Sequence, residues 1–419
     1  MKNKKWVGKI TRKVYDKILS EEFKEGARMR EEDFTRNRKV NFPETVLFIL
    51  SGTKKSLQSA VYTFFKEMKI QEESYSKQAF SKGRQRIKPE AFRELFDTVT
   101  AEFYENAEVK KYRGFRVSAI DGTKYNLPNT PELTEKYGIQ KSTNQVQALG
   151  SCLYDVLNGI LLDVQLFPYN ASERALAELH IDALKNIEHN QELLLMDRGY
   201  PSAALLKKIA ENGFHFVARC DFSFIKSMSL TDNDCTLEHK FQNGISCKLR
   251  VIKFKLKNAT EEILVTNIFD ESYTIEDFKE IYHLRWGIEE KYDDLKNKLQ
   301  IENFSGTSPI AILQDFYATM FLSNLASVLM FDCADEIDKK YNTRDLKYKY
   351  KANVSMTISL LKVDLIALLS VESDRKRAKL LNQLYSRLMD CVVPIRDDRT
   401  YPHNRKHLSL KFPNNRKSL

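Results

Sequence analysis

The stretch Glu192-Leu193-Leu194-Leu195-Met196-Asp197-Arg198-Gly199-Tyr200-Pro201 decides the fold class. Four consecutive apolar residues without polar alternation read as a short strand buried on both faces, as in a parallel or mixed sheet. The strand stops at Asp197. Pro201 sits where a helix starts, and Ser202 to Asn212 continues it. Gly213 ends that helix, and Phe214 to Ala218 is the next strand. A strand–helix–strand unit this short belongs to an α/β sheet.

Upstream, Ser172 to Ile187 reads as a helix capped by Ser172, with Glu173 and Glu178 in its early turns. Val146 to Tyr154 and Ile160 to Phe167 form a hairpin across Asp155-Val-Leu-Asn158-Gly159, where Asn-Gly supplies the turn residues. Phe115 to Ile120 is a strand ending at Asp121-Gly122. The order strand, hairpin, helix, strand, helix, strand predicts a mixed sheet with helices on its faces, as in the ribonuclease H-like fold. Beyond it, Ser246 to Leu256 and Glu262 to Ile268, joined by a turn around Asn258, predict a strand-rich insertion. A helix from about Ile275 to Leu299 returns to the core, helices dominate Ile310 to Asp390, and a basic tail closes the chain.

The N-terminal hundred residues read as helices at Lys9 to Phe23, Pro43 to Leu50 and Ser56 to Met68. A further helix in Tyr75 to Pro89, capped by Ser76, gathers Lys77, Lys82, Arg84, Arg86 and Lys88. Such a helix can lie against phosphates, and a solvated surface helix is the alternative.

Charge follows the same division. Residues 1–110 hold 24 Lys and Arg against 17 Asp and Glu, net +7; residues 341–419 hold 17 against 7, net +10. The middle is net −7, with 26 against 33. An acidic centre between basic flanks suits a metal-binding core held on a polyanion by its ends. The most apolar stretch, Phe316 to Phe331, is interrupted by Thr319, Ser323, Asn324 and Ser327 and reads as a core helix, so no membrane is expected. With no apolar leader after Met1 the chain is expected in the cytoplasm. The six cysteines are too scattered for a zinc pair and read as reduced thiols.

Two aspartates therefore stand at strand ends: Asp121 in Ser118-Ala-Ile-Asp-Gly-Thr123, and Asp197 in Leu194-Leu-Met-Asp-Arg-Gly-Tyr200. Active sites of open α/β sheets lie at such ends, although Asp is also a common turn residue. In Phe278 to Lys296, Tyr282, Arg285, Glu289 and Lys296 stand at offsets of 0, 3, 7 and 14. At ~100° per residue they share a ~60° arc of one helix. Glu can ligate metal, Arg and Lys can grip phosphate, and Tyr can donate a hydrogen bond. Taken alone, the geometry favours the plainer alternative, an amphipathic helix with an Arg285–Glu289 pair.

The spacing Tyr-x2-Arg-x3-Glu-x6-Lys, with Trp286 after the Arg and Ile288 before the Glu, resembles the signature of DDE transposases of bacterial insertion sequences. It is similar to the branch whose core carries a β-rich insertion between the second and third acidic residues. Asp121-Gly-Thr and Asp197-Arg-Gly-Tyr match that family's first two acidic motifs in type and order. The resemblance implies a ribonuclease H-like core in which Asp121, Asp197 and Glu289 are catalytic and bind two Mg²⁺ (or Mn²⁺) ions. It implies DNA-phosphate contacts by Tyr282, Arg285 and Lys296. The implied substrate is double-stranded DNA, as terminal inverted repeats and target, cut and pasted by a homodimer through a hairpin intermediate. A nuclease on the same core without strand transfer, or a DNA-binding protein that has lost catalysis, are the alternatives. The expected division is a helical DNA-binding region 1–110, core 111–220, insertion 221–272, core with catalytic helix 273–309, and a C-terminal helical region and tail 310–419.

Overall fold

The computed structural model describes residues 6–36, 41–52, 56–68, 76–187, 191–221, 224, 232–241, 244–255, 261–343 and 346–396. The turn around Asn258 and the tail beyond Arg396 lie outside the described residues.

Six helices open the chain: α1 (Trp6–Leu19), α2 (Glu21–Ala27), α3 (Phe42–Leu50), α4 (Leu57–Glu67), α5 (Lys77–Arg84) and α6 (Glu90–Asn106). Strand β1 (Phe115–Asn126), helix α7 (Pro131–Tyr137), and strands β2 (Ile139–Gln140), β3 (Gln145–Asp155) and β4 (Ile160–Pro168) follow. Next come α8 (Glu173–Leu184), β5 (Gln191–Met196), α9 (Ala203–Glu211) and β6 (His215–Arg219). Strands β7 (Asp234–Lys240), β8 (Ser246–Lys255) and β9 (Glu261–Thr266) precede α10 (Ile275–His283) and α11 (Trp286–Asp293). After a π-helical turn at Asp294–Lys298 come α12 (Pro309–Ile337), β10 (Tyr350–Ala352), α13 (Val354–Ser370), α14 (Asp374–Met389) and β11 (Val392–Pro394).

The chain divides into two compact units. One, helical, comprises Met1–Ala107, Asn126–Val146 and Asp294–Leu419. Its axis is α12, capped where Ser308 accepts from the Ala311 N–H, with Pro309 in the first turn. The segment Pro309–Tyr341 is long and apolar enough to cross a membrane, but its most apolar window is 83% buried within the protein. It is the core helix its interrupted apolar run predicts. Helices α1, α3, α6 and α13 pack on it. Asp332 of α12 accepts the Trp6 and Val7 N–H groups at 3.0 Å each and so caps α1 across the sequence.

The other unit, Glu108–Tyr125 and Gln147–Asp293, is built on a sheet whose strands run β4, β3, β1, β5, β6, β9, β8, β7. Strands β1, β5 and β6 are mutually parallel, and β3 and β4 are an antiparallel hairpin, which is the ribonuclease H-like arrangement. The hairpin turn forms as its residues predict. The Asp155 carboxylate accepts from the Leu157 and Asn158 N–H groups, Asn158 Nδ2 returns to it at 2.7 Å, and Gly159 takes the left-handed φ of 75°. Strands β7, β8 and β9 belong to this same sheet. Strand β9 is apolar through Ile263-Leu-Val265, is buried, and runs antiparallel along β6, so β7 to β9 extend the core sheet.

Register carries the most information. Strand β1 pairs with β5 so that Ile120 lies beside Met196, which puts Asp121 and Asp197 level at the same sheet end. Towards the opposite end, register partners Arg116 and Glu192 are an ion pair, both nearly inaccessible, with Nε to Oε1 at 2.7 Å. Truncating one member strands the other charge. Arg116→Met is expected to lower unfolding free energy by about 3–5 kcal/mol in a denaturant titration. The double variant Arg116→Met with Glu192→Leu is expected to recover most of it.

Candidate active site

All groups described in this section except the N-terminal cations and Lys296 belong to the sheet-based unit. Asp121 lies where β1 leaves its buried run, and its Oδ1 accepts the Gly122 N–H at 2.8 Å. Asp197 follows β5 directly and accepts the Tyr282 hydroxyl at 3.2 Å. Parallel pairing of β5 with β6 sets Met196 beside Ala218, which brings the following residue, Arg219, to 3.9 Å from Asp197. Arg219 also pairs with Glu262 at 3.2 Å.

Glu289 is half-buried on α11, and Arg285 donates to it from Nη2 at 2.9 Å. Arg285 is only 4% exposed, its guanidinium lying over the rings of Tyr282 (5.7 Å) and Trp286 (5.1 Å), and its Nε–H has no hydrogen-bond partner among the described residues. The helix expected from Ile275 to Leu299 is interrupted: α10 ends at His283, α11 begins at Trp286, and π-helical geometry takes over at Asp294. The break falls at Leu284 and Arg285, so Tyr282 and Glu289 sit on separate helices linked through Arg285. Lys296 belongs to the helical unit, half-buried near Glu302, with burial lowering its ammonium pKa and Glu302 opposing that shift.

Electrostatics tie the carboxylates together. Burial raises Asp121 to about 6; the Gly122 N–H and Arg285 oppose the rise, and the nearby charges of Glu289 and Glu173 add to it. Arg285 in turn feels Glu289 and Asp197. Glu173, the first residue of α8, was legible only as a first-turn acid. The structure sets its Oε1 3.1 Å from where a Cβ on residue 122 would stand, so Gly122 leaves room for it beside Asp121. Tyr200 is buried, its hydroxyl has no hydrogen-bond partner among the described residues, and its ionisation is opposed first by that burial and then by Asp121, Glu173 and Asp197.

An all-oxygen set of like charges fits hard divalent cations, and the partnerless Tyr200 hydroxyl beside it leaves a donor for a hydrated ion or phosphate oxygen. It is not a ready-made cage: among the described residues no three His, Cys, Asp or Glu side chains already form a metal-binding group. Arg285 supplies the counter-charge to Glu289 instead.

The raised Asp121 has a consequence for stability. A carboxyl whose folded pKa lies above its unfolded value favours the folded state fully below pH 3.8, and that contribution is lost as pH rises towards about 6. Asp121→Asn is therefore expected to stabilise the metal-free protein at pH 7.5, by on the order of 1–3 kcal/mol. The gain is expected to vanish near pH 4 when melting curves are compared.

The N-terminal cations separate. Ser76 caps α5 as expected, accepting from Ala79 N–H at 3.2 Å. Lys77 and Lys82 are exposed, Arg86 lies 3.4 Å from Asp33, and Lys88 donates to the Gly26 carbonyl. Arg84 does not face solvent. It is buried against α12, donating to Gln314, Ser305, the Ala311 carbonyl and Asp315. Its expected phosphate contact is corrected: four acceptors inside the helical unit hold its guanidinium.

The profile of the transposase DDE domain family matches residues 112–325. The chain is 24% identical over 358 residues to transposase InsG for insertion sequence element IS4 of Escherichia coli (strain K12), covering 80% of this chain and 77% of that protein. A cryo-EM structure of a piggyBac transposase synaptic complex with hairpin DNA superposes over 94% of this chain and 86% of that chain, at 13% identity and TM-score 0.48.

Proposed function

The chain belongs to the transposase DDE domain family, and from that premise we propose that Asp121, Asp197 and Glu289 are its catalytic carboxylates, holding two Mg²⁺ (or Mn²⁺) ions. The protein is a DNA transposase, an enzyme that cuts and joins DNA with the help of divalent metal. The observation that carries the site assignment is the β1–β5 register, which sets Asp121 level with Asp197, together with the electrostatic coupling of Asp121 to Arg285 and Glu289 and of Arg285 to Asp197.

When bound, a pair of divalent ions activates the attacking oxygen and stabilises the leaving one. The protein's own groups do the rest. Glu289 would hold metal with Asp121 and Asp197, and Arg285, its ion-pair partner here, would grip a phosphate in a fork. The unpaired Arg285 Nε–H supplies a further donor for that phosphate. Tyr282 donates a hydrogen bond from its hydroxyl to Asp197 and so orients that carboxylate. Lys296 adds a positive charge for the backbone. Water attacks first at the element's end; the freed 3′-hydroxyl then attacks the opposite strand, closing a hairpin and releasing the flanking DNA. A second water opens the hairpin and regenerates the 3′-hydroxyl, which attacks target DNA.

The substrates are terminal inverted repeats and target duplex, bound by a homodimer in the cytoplasm. Residues 1–110 form the DNA-binding region, with Lys77, Lys82, Arg86 and Lys88 as phosphate contacts. Residues 221–272 are the insertion within the core 111–309, and 310–419 complete the helical region. A strand-transfer assay with precut ends tests the reading. Joined product is expected; metal-dependent cleavage without joining would mark a nuclease, and binding without cleavage an inactive relative.

A further inference from the structure

Behind Asp121 lies a chain of buried polar groups that the chemistry above does not use. Asp163 on β4, His180 on α8 and Ser151 on β3 are each fully inaccessible. His180 Nδ1 stands 2.5 Å from Asp163 Oδ2, and Nε2 stands 2.9 Å from Ser151 Oγ. The order of partners is that of a hydrolase triad, but a nucleophile with no accessible surface can meet no substrate. Ser151 Oγ instead faces the backbone carbonyl of Asp121, at 3.4 Å. The same carbonyl accepts the buried Tyr292 hydroxyl at 2.5 Å.

We propose that Tyr292 and the Asp163–His180–Ser151 relay are positioning residues for the metal-binding carboxylates, acting as a two-hydroxyl clamp on the Asp121 peptide. The proposal rests on the assignment of Asp121 and Glu289 as ligands. Tyr292 is three residues beyond Glu289 on α11, so one bond from its ring to the β1 carbonyl ties the strand carrying the first carboxylate to the helix carrying the third. Ser151 grips the same oxygen from the hairpin side. His180, donating from Nδ1 to Asp163 and from Nε2 to Ser151 Oγ, leaves the single Ser151 hydrogen for the Asp121 carbonyl. Sequestering a carboxylate and an imidazole from water is unfavourable unless their partners are fixed, so the relay is rigid. Ligand sites tolerate displacements of about half an ångström, the scale on which a carbonyl freed of both hydroxyls can drift.

The test uses the full chain and Mn²⁺ alone as probe. Tyr292→Phe removes only the hydroxyl. Calorimetry without DNA is expected to show Mn²⁺ affinity reduced by about 10-fold, the scale of lost outer-sphere support. Single-turnover cleavage at saturating DNA is expected to fall by a similar factor, with DNA affinity unchanged. Ser151→Ala and His180→Phe are expected to move both readouts in the same direction by less. Thr266→Val is the control: it deletes another buried hydroxyl of the sheet, bonded to the Phe216 carbonyl, and is expected to lower the melting temperature alone. Wild-type Mn²⁺ affinity in folded Tyr292→Phe overturns the clamp, as does an equal loss in Thr266→Val. If Tyr292→Phe does not fold, Ser151→Ala carries the same test. Glu289→Gln separates the two ideas: cleavage by that variant sinks the ligand assignment itself, whereas its inactivity beside a normal Tyr292→Phe sinks only the clamp.

Discussion

Glu289→Gln is expected to abolish strand cleavage, by roughly 10³-fold or more, while leaving binding to transposon-end DNA intact. The substitution conserves shape and one acceptor oxygen, so α11 and its hydrogen bond from Arg285 survive. What disappears is the charge that lets a carboxylate hold a divalent cation, and losing several kcal/mol of transition-state stabilisation means at least three powers of ten in rate. A labelled end fragment with Mg²⁺ measures nicking, and a gel shift measures binding. Cleavage at the normal rate would remove Glu289 from the ligand set and leave Arg285–Glu289 as an ordinary helix pair.

Arg285→Ala is expected to slow end processing by about 100-fold, and Arg285→Lys to restore little of it. The guanidinium meets two aromatic faces, the Glu289 carboxylate and the field of Asp121 and Asp197, while keeping one N–H free. A lysine brings the charge without the planar fork. Truncation to alanine also leaves Glu289, Asp121 and Asp197 without their shared counter-charge, so mutual repulsion loosens the site before DNA arrives. Normal cleavage and joining by Arg285→Ala would reduce the residue to a structural partner of Glu289.

Much of this was legible in the chain because strand ends and caps are local. The apolar run before Asp197, Asn158-Gly159 and the Ser172 cap each dictate their structure within a few residues. The meeting of Asp121 and Asp197 follows from two such strands once they pair in parallel. Long-range facts were not legible. Nothing near Arg84 foretells that Asp315, Gln314 and Ser305, more than two hundred residues on, supply its acceptors. The junction of β9 with β6, which joins the strand-rich segment after residue 221 to the core sheet, is a pairing decided by two-sided burial. Nor does helical spacing announce the break at Leu284, which the i,i+3 and i,i+4 pattern runs straight through.

The order of synthesis sets a further condition. Helices α1, α3 and α6 rest their apolar faces on α12, which leaves the ribosome some two hundred residues after α6. Until then the nascent N-terminal segment has no completed core and is exposed to chaperones and proteases. A chain cut short before α12 is therefore expected to lack a stable N-terminal helical unit.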